Sequence, residues 1–274
     1  MFSQTLKKSL LSPAVLAFSL GLSSVASATI VEFQTSQGNF QVNLFDQTTP
    51  KTVENFLGYV NEQSYTNTVI HRAYPEFIVQ GGGFEFSGEW PLAARTANAA
   101  IVNEPVYSNV KGTIAMAKRA NDPNSATNQW FFNLNDNSAN LDLQNSGFTV
   151  FGQVIGDGMT IIEKIAQLKL CDEDKELAAG VSDGIPVVIS EGQQCSDLAT
   201  PGMDNFVIVE QITIVDSSEV TDADLTPVKN TLIATPVEPT PTPDSDSGGG
   251  SFGWLSVFTL MLLTIRKSSL KKHK

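Results

Sequence analysis

The chain has 274 residues, with 17 Lys+Arg against 29 Asp+Glu and a formal net charge of −12 at pH 7. Seven of the basic residues, Lys7, Lys8, Arg266, Lys267, Lys271, Lys272 and Lys274, sit at the two ends, so the stretch 29–247 carries 10 Lys+Arg against 29 Asp+Glu, about −19. An acidic middle argues against nucleic-acid binding, which needs a basic face. Two histidines, and two cysteines at no zinc spacing, argue against a structural metal.

Residues 1–28 read as a secretory signal peptide. Lys7 and Lys8 are the positive start, Leu10 to Val25 the apolar stretch, and Ala26-Ser27-Ala28 an A-x-A site for signal peptidase. The mature chain then begins near Thr29. Residues 29–216 form one domain-sized unit. Apolar runs at 30–33 and 40–45, joined by Thr35-Ser36-Gln37-Gly38-Asn39, predict a β-hairpin. Thr48 or Thr49 is a candidate helix cap ahead of Pro50, and Val53, Phe56, Leu57 and Val60 follow at helical spacing. Further strands are predicted over 68–70, 77–80, 112–117, 130–134, 150–154 and 206–215, and a second helix over 159–167. Many short strands with two well-separated helices suggest an antiparallel barrel closed by helices. Export places Cys171 and Cys195 in an oxidising compartment, where a disulfide between them is expected, with two free thiols as the alternative.

Residues 217–247 hold Pro236, Pro239, Pro241 and Pro243 among Thr, Ser and Asp, and read as an extended linker. At ~3.1 Å per residue in polyproline form it could reach on the order of 80 Å. Residues 248–274 open on Gly248-Gly249-Gly250. An apolar run from Phe252 to Ile265 follows, about 14 residues against the ~20 that span a bilayer comfortably, and basic residues then hold its far end inside.

Four blocks occur in one order along the domain. They are Thr49-Pro50-Lys51-Thr52-Val53-Glu54-Asn55-Phe56; His71-Arg72-Ala73-Tyr74-Pro75-Glu76-Phe77-Ile78-Val79-Gln80-Gly81-Gly82-Gly83; Gly112-Thr113-Ile114-Ala115-Met116-Ala117 with Ser125-Ala126-Thr127-Asn128-Gln129-Trp130-Phe131-Phe132-Asn133; and Leu141-Asp142 with Phe148-Thr149-Val150-Phe151-Gly152-Gln153-Val154. Together they resemble the cyclophilin-type peptidyl-prolyl cis/trans isomerases, bacterial members in particular. The resemblance implies a mainly β fold, a closed eight-stranded antiparallel barrel capped by two α-helices, and no cofactor. It implies Arg72 as the catalytic arginine. Phe77, Ile78, Phe131, Leu141 and Phe148 would line the proline pocket, and Gln80, Ala117 and Gln129 would bind the substrate backbone. His71 is read as structural, and the three glycines as a backbone-shape requirement rather than a phosphate cradle. The tail is similar to the GlyGly-CTERM sorting signal, which implies cleavage by a rhomboid-type protease; the alternative is a permanent single-pass anchor.

The chemistry fits those residue types. An X–Pro bond rotates over ~18–20 kcal/mol because the amide is conjugated. Rotation needs no nucleophile. It needs a donor for the nitrogen lone pair that develops as conjugation is lost, and a guanidinium supplies one at any working pH. The expected partners are proline-containing exported polypeptides, with no nucleic acid, membrane contact through the tail alone, and a periplasmic or cell-surface location. The second reading is a proline-peptide-binding or holdase module with little turnover. Its motive is Asn140, which stands where the family has Trp or Phe, so that one pocket wall is polar, together with the charged loop Lys118-Arg119-Ala120-Asn121-Asp122-Pro123. Segments 84–100 and 169–205 are longer than the family pattern.

Overall fold

The computed structural model describes residues 29–89, 91–171, 184–198, 201–217 and 225–233. The expected signal segment, most of the expected linker and the whole apolar tail lie outside them, and the described residues all belong to the unit Met1–Ala234. Among the described residues no helix is long and apolar enough to cross a membrane.

Strands β1 (Ile30–Thr35) and β2 (Gly38–Leu44) form the expected hairpin, with Phe33 opposite Phe40. Helix α1 (Pro50–Asn61) buries Val53, Phe56, Tyr59 and Val60, a three-and-four spacing that puts one stripe against the sheet. Thr49 holds the cap position and Pro50 opens the helix as expected, but Thr49 makes no side-chain cap bond. The Glu104 carboxylate accepts from the Lys51 and Thr52 N–H groups at 3.3 and 2.9 Å and from the Thr52 hydroxyl at 2.7 Å. An acid from a distant loop thus serves the unpaired donors and the positive end of the helix dipole.

The strand expected over 68–70 is found, and a further short strand that was not expected follows it. In β3 (Thr68–Val69) the chain pairs with the last strand, and in β4 (Arg72–Tyr74) with the next one. The switch falls at Ile70, whose N–H donates to Val207 C=O at 2.9 Å, and His71, whose N–H donates to Gln80 C=O at 3.2 Å. There follow β5 (Ile78–Gly81), β6 (Phe84–Glu85), β7 (Ala93–Ala94), β8 (Thr113–Met116), β9 (Trp130–Asn133), the single-turn α2 (Ser138–Leu141), β10 (Val150–Ile155), α3 (Gly158–Ala166), β11 (Lys169–Cys171), β12 (Ile185–Val187) and β13 (Ile208–Asp216).

One antiparallel sheet runs in the order β4-β5-β9-β8-β10-β2-β1-β13-β3-β6-β7, and β11 and β12 pair separately. The fold is therefore mainly β with few helices. Instead of the expected closed ring of eight strands, the sheet is a curled half-barrel. The break at Ile70-His71 sends β3 and β4 to different places in the order, and β6 and β7 extend one edge.

The concave side is filled by aromatic rings. Phe33 stacks on Phe40 at 4.9 Å and meets Trp130 and Phe132 edge-on at 5.2 and 5.5 Å. Burying such a ring contributes about 1.5–3 kcal/mol. The two long segments build a second apolar cluster together: Phe84, Phe86 and Leu92 from one, Cys171, Ile185 and Val187 from the other, closed by Val69, Phe206 and Ile208. Cys171 is joined to Cys195 by a disulfide, Cα–Cα 5.5 Å.

Residues 225–233 depart from the free extended linker expected over 217–247 in being held to the domain. They lie along the domain, where Lys229 bridges to Tyr107 and Ser108 N–H donates to Val228 C=O at 2.8 Å. The reason is compositional. Leu225 packs on an apolar cluster and Ile233 against Gly147, while Val228 and Leu232 stay exposed; this piece has one proline, whereas the prolines crowd from Pro236 onward.

Candidate active site

Strand alternation divides β4, β5, β9, β8 and β10 into two faces. Val79, Phe132 and Ile114 fall on one row and enter the main core. The neighbouring row reads Arg72 opposite Gln80, Gln80 opposite Phe131, Phe131 opposite Ala115 and Ala115 opposite Val150. That row lies on the convex face, where Phe45, Ile78, Ala115, Phe131, Leu141 and Val150 form an apolar cluster separate from the core. Ile78, Phe131 and Leu141 are buried and make its floor. Phe77, Ala117 and Phe148 are half-buried against it and make the rim. Phe131 and Phe148 meet edge-to-face at 5.7 Å. The structure thus brings all five expected pocket residues to one patch and sets Arg72 two strands from Phe131. Asn140 is exposed on α2.

Beside the patch runs a groove of about 240 Å³, lined by Gln80, Ala117, Lys118, Arg119, Ser125, Thr127 and Gln129. The three residues expected to bind substrate backbone are all in it. Gln80 Nε2 donates to Gln129 Oε1 at 2.9 Å, which ties the two groove side chains together. The glycines of 81–83 are required sterically. A Cβ on Gly81 would stand 2.7 Å from the Trp130 ring, one on Gly82 (φ +87) 2.5 Å from Asn128 O, and one on Gly83 2.6 Å from Cγ, Cδ and Nε2 of Gln129. Trp130 and Gln129 can occupy their places because these three residues carry no side chain.

His71 is buried, packed edge-on against Phe84 at 4.7 Å. Burial lowers its pKa from 6.5 to about 4, against smaller opposing contributions from the Val69 backbone and the Gln129 side chain. The ring is neutral at pH 7 and serves the structure, next to the charged Arg72. Lys118 is a different case. Its ammonium donates to Asn145 C=O at 2.8 Å and Gly147 C=O at 2.6 Å and lies 4.8 Å over the Phe148 ring. Burial lowers its pKa to about 8, so it remains mostly protonated at pH 7. It clamps the pocket wall instead of extending into solvent.

Sequence reasoning passed over three supports. Lys118 was read only as loop charge. Asn137 holds the rim: its Nδ2 donates to Phe77 C=O at 2.9 Å and to Asn133 Oδ1 at 2.8 Å. Asp142 is fully buried and receives Ser108 and Asn109, partners more than thirty residues away that no local pattern announces. Among the described residues no group of His, Cys, Asp and Glu is placed to hold a metal ion.

Residues 30–182 match the family model described as cyclophilin type peptidyl-prolyl cis-trans isomerase/CLD. A peptidyl-prolyl cis-trans isomerase of Acinetobacter baylyi is 39% identical over 143 residues, 51% of this chain and 73% of that protein. Peptidyl-prolyl cis-trans isomerase B of Escherichia coli is 39% identical over 142 residues, 50% of this chain and 83% of that protein. Among solved structures, a cyclophilin-type isomerase of Cryptosporidium parvum superposes with a TM-score of 0.49 at 20% identity, over 70% of this chain and 99% of the other.

Proposed function

Since the chain belongs to the cyclophilin-type family and is a peptidyl-prolyl cis-trans isomerase, we propose that it isomerises X–Pro bonds of exported polypeptides at the convex patch just described. The observation that carries this reading is the row Arg72–Gln80–Phe131, which puts Arg72 opposite the groove residue Gln80 and Gln80 opposite Phe131 of the apolar floor. The proline ring sits against Ile78, Phe131, Leu141, Phe77 and Phe148. Gln80, Gln129 and Ala117 hold the preceding backbone in the groove. With both sides held, one half of the amide turns while Arg72 donates to the nitrogen lone pair that appears when conjugation is lost. Such a donor acts most strongly where charge shifts in the transition state and water is kept out.

In this reading residues 1–28 direct export, and 248–274 anchor the chain in the inner membrane until a rhomboid-type protease cuts near Gly248-Gly249-Gly250. The C-terminal peptide of the native protein tests the tail; residues 252–274 still attached in the inner membrane would mean a simple anchor. The decisive test of the site is a coupled prolyl-peptide isomerisation assay on Arg72→Ala. Most activity is lost while the circular dichroism is unchanged. Near-wild-type turnover in a folded Arg72→Ala protein overturns the mechanism.

A further inference from the structure

Asp142 follows the pocket residue Leu141 directly. Its carboxylate accepts from the Asn109 N–H at 2.8 Å, from Asn109 Nδ2 at 3.0 Å and from the Ser108 hydroxyl. The segment supplying those donors is held from outside by residues 225–233. Tyr107 and Lys229 form an antiparallel bridge, Ser108 N–H donates to Val228 C=O at 2.8 Å, and Asn230 N–H donates to Val106 C=O at 2.9 Å. Asn230 then reaches Asp142 itself, its Nδ2 donating to the Asp142 C=O at 3.1 Å. Its Oδ1 accepts from the N–H groups of Leu232 and Ile233 at 2.9 and 3.3 Å, so one side chain fixes both a turn and the pocket wall. Beyond that turn, Ile233 Cδ1 lies 2.6 Å from where a Cβ on Gly147 would stand, next to Phe148. Leu225 packs against the apolar cluster of the site.

The wall between Leu141 and Phe148 needs such support. Asn145 (φ 52) and Ser146 (φ 62) are both left-handed, a conformation that non-glycine residues keep only when the surroundings impose it. Lys118 grips this loop at Asn145 and Gly147 from the groove side. Asn230 and Ile233 grip it from the other.

We propose that residues 225–233 are a working part of the active site: a strap that sets the position of the 141–148 wall, with Asn230 as its positioning residue. The catalytic unit then extends to residue 233. The proposal rests on the assignment of Leu141 and Phe148 to the proline pocket. That wall touches the proline ring both before and during rotation, so displacing it weakens binding and leaves the rotation step nearly intact, which raises KM and spares kcat.

The test uses the full-length chain with Asn230→Ala and Asn230→Asp. The aspartate keeps the acceptor of the turn and removes the donor to Asp142. Both variants should raise KM for an Xaa-Pro tetrapeptide roughly five- to tenfold, about the worth of one hydrogen bond, with kcat within about twofold. Amide hydrogen exchange should quicken over 141–148 and stay unchanged over 130–133. An unchanged KM in both variants overturns the proposal. So does a kcat that falls in step with the melting temperature at constant KM, because the strap then merely stabilises the fold. Arg72→Ala is measured alongside. If it keeps full turnover the site assignment itself is wrong, whereas an inactive Arg72→Ala with unaffected Asn230 variants sinks the strap alone.

Discussion

Acidification from pH 7 to pH 4.5 should weaken the fold through His71. The imidazole is 3% exposed, and burial lowers its pKa from 6.5 to about 4. Between those values the unfolded chain binds a proton that the folded chain does not. Stability is therefore fully present above about pH 6.5 and declines as the pH falls toward 4. At 1.36 kcal/mol per pH unit the loss is about 2 kcal/mol by pH 4.5, a substantial share of the 5–15 kcal/mol typical of a domain. Carboxylates also titrate in this range, so the wild type alone is not diagnostic. The comparison is with His71→Gln, a neutral side chain that does not titrate. Urea unfolding at both pH values should show the wild type losing about 2 kcal/mol more than the variant between pH 7 and 4.5. Equal losses would show that His71 carries the same proton folded and unfolded, and that its burial is not what keeps the ring neutral beside Arg72.

Gly83→Ala drives a Cβ into Gln129, 2.6 Å from three of its atoms; the flexible glutamine swings away from Gln80, and KM should rise about tenfold with stability lowered by less than about 1 kcal/mol. Wild-type KM in that variant would remove Gln129 from the groove's function. Reducing the Cys171–Cys195 bond, which spans 24 residues, should cost about 3 kcal/mol on the chain-entropy account; the rate of the still-folded protein should not change, because the bond belongs to the second apolar cluster and not to the site. Thermal melts with and without reductant, paired with the isomerisation assay, check both halves. Cyclosporin should inhibit weakly, since Asn140 is exposed and polar where the family pattern places an aromatic ring; Asn140→Trp should tighten binding by calorimetric titration, and an unchanged affinity would place that position outside the drug's footprint.

The ordered blocks around Arg72, Gln80, Gln129 and Phe131 were enough, on sequence alone, to point to a mainly β fold and the isomerase family, and to nominate the residues of the apolar patch and of the groove beside it. These are local properties: alternation assigns a face, and glycines at 81–83 declare that something packs close, even before Trp130 and Gln129 are known to be what packs there. What joins distant segments had no such signal. Glu104 capping α1, Ser108 and Asn109 on Asp142, Lys118 closing on the loop at 145–147, and the strap at 225–233 each pair residues dozens of positions apart, through isolated groups of hydrogen bonds rather than a repeating pattern. The composition of 217–247 as a whole suggested a solvated linker, because its prolines dominate the average; only the tertiary structure showed that the first apolar part of it had a surface to lie on. The sheet's open order was decided there as well, since whether Ile70 and His71 bond to Val207 and Gln80 depends on where β13 and β5 stand in space, not on the residues of the strand itself.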